Sequence, residues 1–158
     1  MSADTILGID PGTRHCGIAV MHGRKLIHWQ VQTFPGAWSD GKLKRIMMAL
    51  AKHMDLHSAK RVAVKIPDPL PSSIAFMQLI GSLNILVQSK RIGIRYYTLD
   101  ELKLAHAGTE ECNAAMLNAA IVKRHPELSP EYMREQRNAE KTYYSKIFQA
   151  VAAAKMRL

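Results

Sequence analysis

Only two cysteines occur in the 158 residues, Cys16 and Cys112, with neither the density of a disulfide framework nor the spacing of a thiolate metal site. Both are expected to be structural thiols in a reduced, cytoplasmic setting. Long apolar runs are missing as well. None approaches the roughly 20 residues of a bilayer-spanning helix, and no basic segment leads into an apolar one near the start, so no membrane partner is expected. Acids are scarce. Thirteen Asp and Glu stand against 22 Lys and Arg, leaving a formal charge of +9, a balance that favours a polyanionic partner, nucleic acid first, through counterion release. The seven histidines, read as scattered singles, raise no expectation of zinc. Repeats and low-complexity tracts are lacking too, and the length suits a single domain over residues 1–158 with a real core.

What is present begins with a short apolar run from Thr5 to Asp10, closed by Pro11-Gly12. Gly17 to Met21 and Lys25 to Val31 continue as strands around the turn His22-Gly23-Arg24, predicting a three-strand meander. From Ser39 to His57, Leu43, Ile46, Met47, Leu50, Ala51 and Met54 recur at helical spacing. Arg61 to Ile66 reads as a buried strand, followed by three prolines and a helix capped by Ser72 or Ser73 that runs to about Lys90. A strand from Ile92 to Leu99 follows. Asp100 is expected to cap a short helix ended by Gly108, Thr109 to start the next, and Ser129-Pro130-Glu131 to open a last helical stretch. The order predicts an α/β fold: a mixed five-stranded sheet, part antiparallel meander and part parallel, with helices on both faces.

The chemistry concentrates in Ile6-Leu-Gly-Ile-Asp-Pro-Gly-Thr-Arg-His-Cys-Gly-Ile-Ala-Val20. Asp10 closes a buried strand, while Gly12 and Gly17 permit the turn into the next. An acid in that place is either a turn-capping device or a metal-binding carboxylate. The string resembles the first motif of the RuvC family of junction resolvases, in which G-I-D-P-G-[ST]-R and a following Gly precede a second strand. A related RNase H-like family, YqgF, carries a similar motif. The resemblance extends by element order to Val62–Lys65, the helix Ser72–Lys90 and the stretch Tyr96–Gly108. It implies an RNase H-like fold, a homodimer, binding of branched DNA such as four-way (Holliday) junctions and, in active members, nicking with Mg²⁺ or Mn²⁺.

The resemblance also marks departures. Lys65 stands where the family has a metal-ligating carboxylate, and an ammonium there should repel a divalent ion and pair with Asp10. Pro67-Asp68 stands where resolvases commonly carry an aromatic residue. The family's closing Asp-x-x-Asp has no literal counterpart, and alignment offers Asn138 and Lys141. With Ile147 at the centre of a buried helical face, Tyr143, Val151 and Ala154 lie within about 40° of it, as do Met133, Gln136 and Glu140. Tyr143 is accordingly expected in the core. Asp10, Asp68 and Glu140 are then the acids from which an active centre can be assembled.

Arg14, His15, Lys65, Arg134, Arg137 and Lys141 are the expected DNA contacts, within a wider set of basic residues that includes Lys42, Lys44 and Arg45. On the long helix, the resemblance assigns Ile74, Met77, Gly81, Asn84 and Ile85 to a two-fold dimer interface; a helix buried wholly within one chain is the alternative. Three functional readings remain open. The first is a RuvC-like protein that binds branched DNA with cleavage lost or impaired by Lys65. The second is an active Mg²⁺- or Mn²⁺-dependent junction endonuclease using Asp10 with relocated acids, and the third an RNase H-like scaffold for protein contacts.

Overall fold

A computed structural model describes residues 4–137 and 141–156. The sheet has the order β3-β2-β1-β4-β5, with β1 (Thr5–Asp10), β2 (His15–His22) and β3 (Lys25–Thr33) forming the antiparallel meander and β4 (Arg61–Ile66) and β5 (Gly93–Thr98) added in parallel. Alternation along the strands divides the core in two. Leu7, Ile9, Ile18, Val20, Val62 and Val64 face α1 (Asp40–Leu56) and α2 (Ile74–Ser89). Ala19, Met21 and Ala63 face the other side, against α6 (Lys141–Ala154) with α3 (Leu99–Ala107), α4 (Ala114–Arg124) and α5 (Ser129–Arg137) around it. The expected class and layering are those observed.

The second face explains the glycines. A Cβ on Gly8 would stand 2.0 Å from the Ala150 carbonyl oxygen, and one on Gly17 would stand 2.1 Å from that of Lys146. Glycine in the strands and alanine in α6 (Ala150, Ala152, Ala153 and Ala154, all buried) let helix and sheet approach far closer than larger residues allow. This close seat fixes the depth of α6, and Gly17 fixes which residue of the helix lies over β2.

Three local expectations need correction. Thr98, not Asp100, caps α3, because its hydroxyl accepts from the Glu101 backbone N–H while the Glu101 carboxylate accepts from that of Thr98, a reciprocal capping box. Thr109 does not begin α4. Its hydroxyl closes a turn with the Glu111 N–H, and the helix starts five residues on, where Asn113 accepts from the Met116 N–H at 2.9 Å. Lys42 is not a surface cation: it is buried on α1 and its ammonium donates to the Gly36 carbonyl at 2.8 Å. No helix among the described residues is long and apolar enough to cross a membrane.

Candidate active site

Asp10 ends β1 on the α6 side of the sheet, two residues beyond Gly8. It pairs across the antiparallel ladder with Gly17, which lies directly beneath Lys146. The register therefore delivers one α6 side chain to the carboxylate: Lys146 Nζ stands 3.7 Å from Asp10 Oδ1. That separation makes a loose ion pair rather than a direct hydrogen bond. On the opposite flank Ile9 pairs with Val64 in the parallel ladder, so Lys65 comes abreast of Asp10 and its charge acts on it. Burial pushes the Asp10 carboxyl above its ordinary range, and the two ammonium groups offset only part of that rise.

The rim is built from the turn after β1. His15 Nδ1 lies 2.9 Å from the Thr33 hydroxyl, and its ring meets Tyr143 edge-on with centroids 5.1 Å apart. Tyr143 is half-buried at this rim rather than in the core. Gly12 passes under the lysine, since a Cβ there would be 3.0 Å from Lys146 Nζ. Cys16 is buried, donates to the Gly12 carbonyl at 3.3 Å, and has its thiol pushed up by burial, which agrees with a structural thiol.

Of the acids expected beside Asp10, Asp68 is exposed and is not among the charges that act on the carboxyl. Glu140 lies outside the described residues, as does Asn138. The helical phase that placed Met133 and Gln136 inward with Ile147 does not carry from α6 into α5: both are exposed, and among the described side chains of α5 the buried one is Glu135. Each helix sets its own inward face by its own partners. Glu135 accepts from Ser145 at 2.9 Å and Asn118 at 3.3 Å, while Glu131 accepts from the Trp29 indole at 3.2 Å. Alignment had offered Lys141 for the last motif. The α6 residue facing Asp10 is Lys146.

A divalent ion suits this donor set poorly. Among the described residues one carboxylate attracts it and two ammonium groups repel it; unit charges 4 Å apart interact by about 4 kcal/mol near a protein surface, so Lys146, at 3.7 Å from Asp10, offsets the attraction and Lys65 adds to the repulsion. Among the described residues no three His, Cys, Asp or Glu side chains are arranged to hold a metal. Of the expected DNA contacts, Arg14 is exposed in the turn after β1, His15 and Lys65 are half-exposed, and Arg134 is exposed on α5. The side chains of Arg137 and Lys141 lie outside the described ones.

The histidines are not all the scattered singles expected from the sequence, because three of them stack together. His53 and His57 are four residues apart on α1 and face His28 of β3, with ring centroids 5.5 Å from His28 in each case and 6.2 Å from one another. The H-x-x-x-H spacing was the available signal. Burial and mutual repulsion lower the proton affinity of His53 and His57, so the stack is built for neutral imidazoles.

The meander, the parallel extension and the buried aspartate closing the central strand define an RNase H-like α/β protein. The chain belongs to the RuvC family: the family described as Crossover junction endodeoxyribonuclease RuvC matches residues 6–133. The matched span stops short of α6 and hence of Lys146. Among solved structures the chain is similar to Thermus thermophilus RuvC in complex with a Holliday junction substrate, at 19% identity and a TM-score of 0.73 over 96% of this chain and 90% of that one. It is similar also to the Thermus thermophilus RuvC structure alone, at 19% identity and a TM-score of 0.71 over 95% and 90%. No curated protein matches the chain by sequence.

Proposed function

We propose that this protein is a RuvC-like homodimer that binds branched DNA, four-way junctions above all, and that its capacity to cleave is lost or strongly impaired. One observation carries the reading: in a RuvC-family fold, the central carboxylate is faced by Lys146 at 3.7 Å and flanked by Lys65. Among the described residues the pocket holds two cations and one acid, a set that favours a phosphate over a metal-activated water. The formal charge of +9 and the exposed Arg14 and Arg134 supply the sequence-independent part of the affinity.

The dimer would form along the outer stripe of α2. Ile74, Met77 and Ile85 are 75%, 49% and 70% exposed, and Gly81 between them opens to free space, an apolar line that a second copy would cover. Asn84 stands apart from this stripe, since its side-chain carbonyl accepts from the Tyr96 hydroxyl and so faces inward.

Gel retardation of a synthetic four-way junction against a linear duplex of the same sequence tests the binding. Preferential retardation of the junction, weakening steeply with salt, is expected. Equal retardation of both would leave only nonspecific basic binding, and none at low salt would favour a protein-contact scaffold.

A further inference from the structure

We infer that the Asp10 pocket is a metal-independent seat for one DNA backbone phosphate, with the ammonium of Lys146 as its fixed cation. The inference rests on the branched-DNA reading and goes beyond it, because it says which side chain replaces a divalent ion and how that is arranged.

Three features converge. The first is charge. Even with Asp10 counted as ionised, Lys146 and Lys65 leave these three described side chains at +1, so the complementary ligand is an anion. The second is position. The backbone of Lys146 is held against Gly17, the cross-strand partner of Asp10, with no room for a Cβ between them. Its ammonium is therefore delivered by a rigid helix on a rigid sheet, whereas most of the other basic residues are on exposed surface. The third is access. The Lys146 side chain keeps 23% of its surface and that of Asp10 only 7%, so the cation reaches outward while the acid stays beneath it as an internal counterion. The 3.7 Å gap leaves ammonium protons available to a phosphate oxygen. Gly12 and His15 bound the same opening, and the missing side chain at Gly12 leaves room for the His15 carbonyl and the Lys146 ammonium, from which a Cβ would stand 2.4 and 3.0 Å.

Fluorescence anisotropy of a labelled four-way junction tests this at constant ionic strength, in EDTA and in Mg²⁺. Wild-type affinity is expected to agree within about twofold between the two. Lys146→Gln should weaken binding about tenfold and reduce the slope of log K against log salt by about 0.9, the loss of one phosphate contact, and Lys146→Arg should recover most of both. Thermal unfolding verifies that each variant folds, and should Lys146→Gln not fold, the EDTA comparison and Lys146→Arg decide. Wild-type binding that requires a divalent ion would overturn the inference. So would an unchanged affinity and slope in folded Lys146→Gln. An electron paramagnetic resonance titration supplies an arm without DNA: Mn²⁺ bound by the wild type and lost in Asp10→Asn would also overturn it. Absence of any junction binding at low salt would instead defeat the DNA reading itself.

Discussion

Lys146 and Lys65 together invert the charge that a divalent cation needs around Asp10, and this inversion can be undone with two substitutions. Lys65→Glu combined with Lys146→Asp should create a three-carboxylate site and with it Mn²⁺ binding, read by paramagnetic resonance or calorimetry; Lys65→Glu alone should give much weaker binding, because Lys146 remains against Asp10. Gly17 is the other residue on which the site depends. A valine there would collide with the Lys146 backbone, so Gly17→Val should destabilise the fold by about 1–3 kcal/mol or more, as overpacking does, with a lower urea midpoint as the measure. Much of this was legible from residues. The first motif located Asp10, and its alignment flagged Lys65. Lys146 was not legible, because its partnership with Asp10 depends on how deeply α6 sits, and that depth is set by glycines on β1 and β2 far away in sequence.

At the level of elements, the stack of His28, His53 and His57 ties the end of α1 to the edge strand β3. His53 and His57 both hold protons less tightly than the ordinary value of 6.5. A group with lowered folded-state affinity contributes stability that is complete above the unfolded value and is lost as pH falls through it toward the folded value. Stability should therefore decline as pH is taken from about 7.5 to below 6.5, and His53→Gln with His57→Gln should flatten the decline, as thermal midpoints across that range would reveal. His106 and His125, also lowered, leave a residual slope in the double variant. Helix α2 carries the other element-scale prediction. Ile85→Glu should halve the mass seen by sedimentation equilibrium while leaving the fold intact, because Ile85 is 70% exposed in the single chain; a wild-type monomer at micromolar concentration would contradict the dimer.

Sequence periodicity read the elements well wherever one helix packs on one face. It placed α1 and α2 within a residue or two, and Ser129 as the start of α5. It failed where packing partners decide: α5 turns Glu135 inward toward Asn118 and Ser145 rather than extending the phase of α6. It also missed the start of α4, where two residues able to cap stand four apart and only Asn113 is followed directly by the helix.

For the whole molecule, the mixed five-stranded sheet and the helices on both its faces were legible because an antiparallel meander followed by helical crossovers permits few layerings. The proposed function combines that scaffold with a site in which, among the described residues, Lys146 and Lys65 act on the buried Asp10. On the proposed reading, this arrangement grips a junction without hydrolysing it. The most direct measurement is a nicking assay of wild-type protein on an end-labelled four-way junction in Mg²⁺ and in Mn²⁺, resolved on a denaturing gel at protein concentrations that fully retard the junction. The account predicts intact strands in both ions. Symmetric nicks that disappear in Asp10→Asn would contradict it, and would assign Asp10 to an active centre completed by other acids.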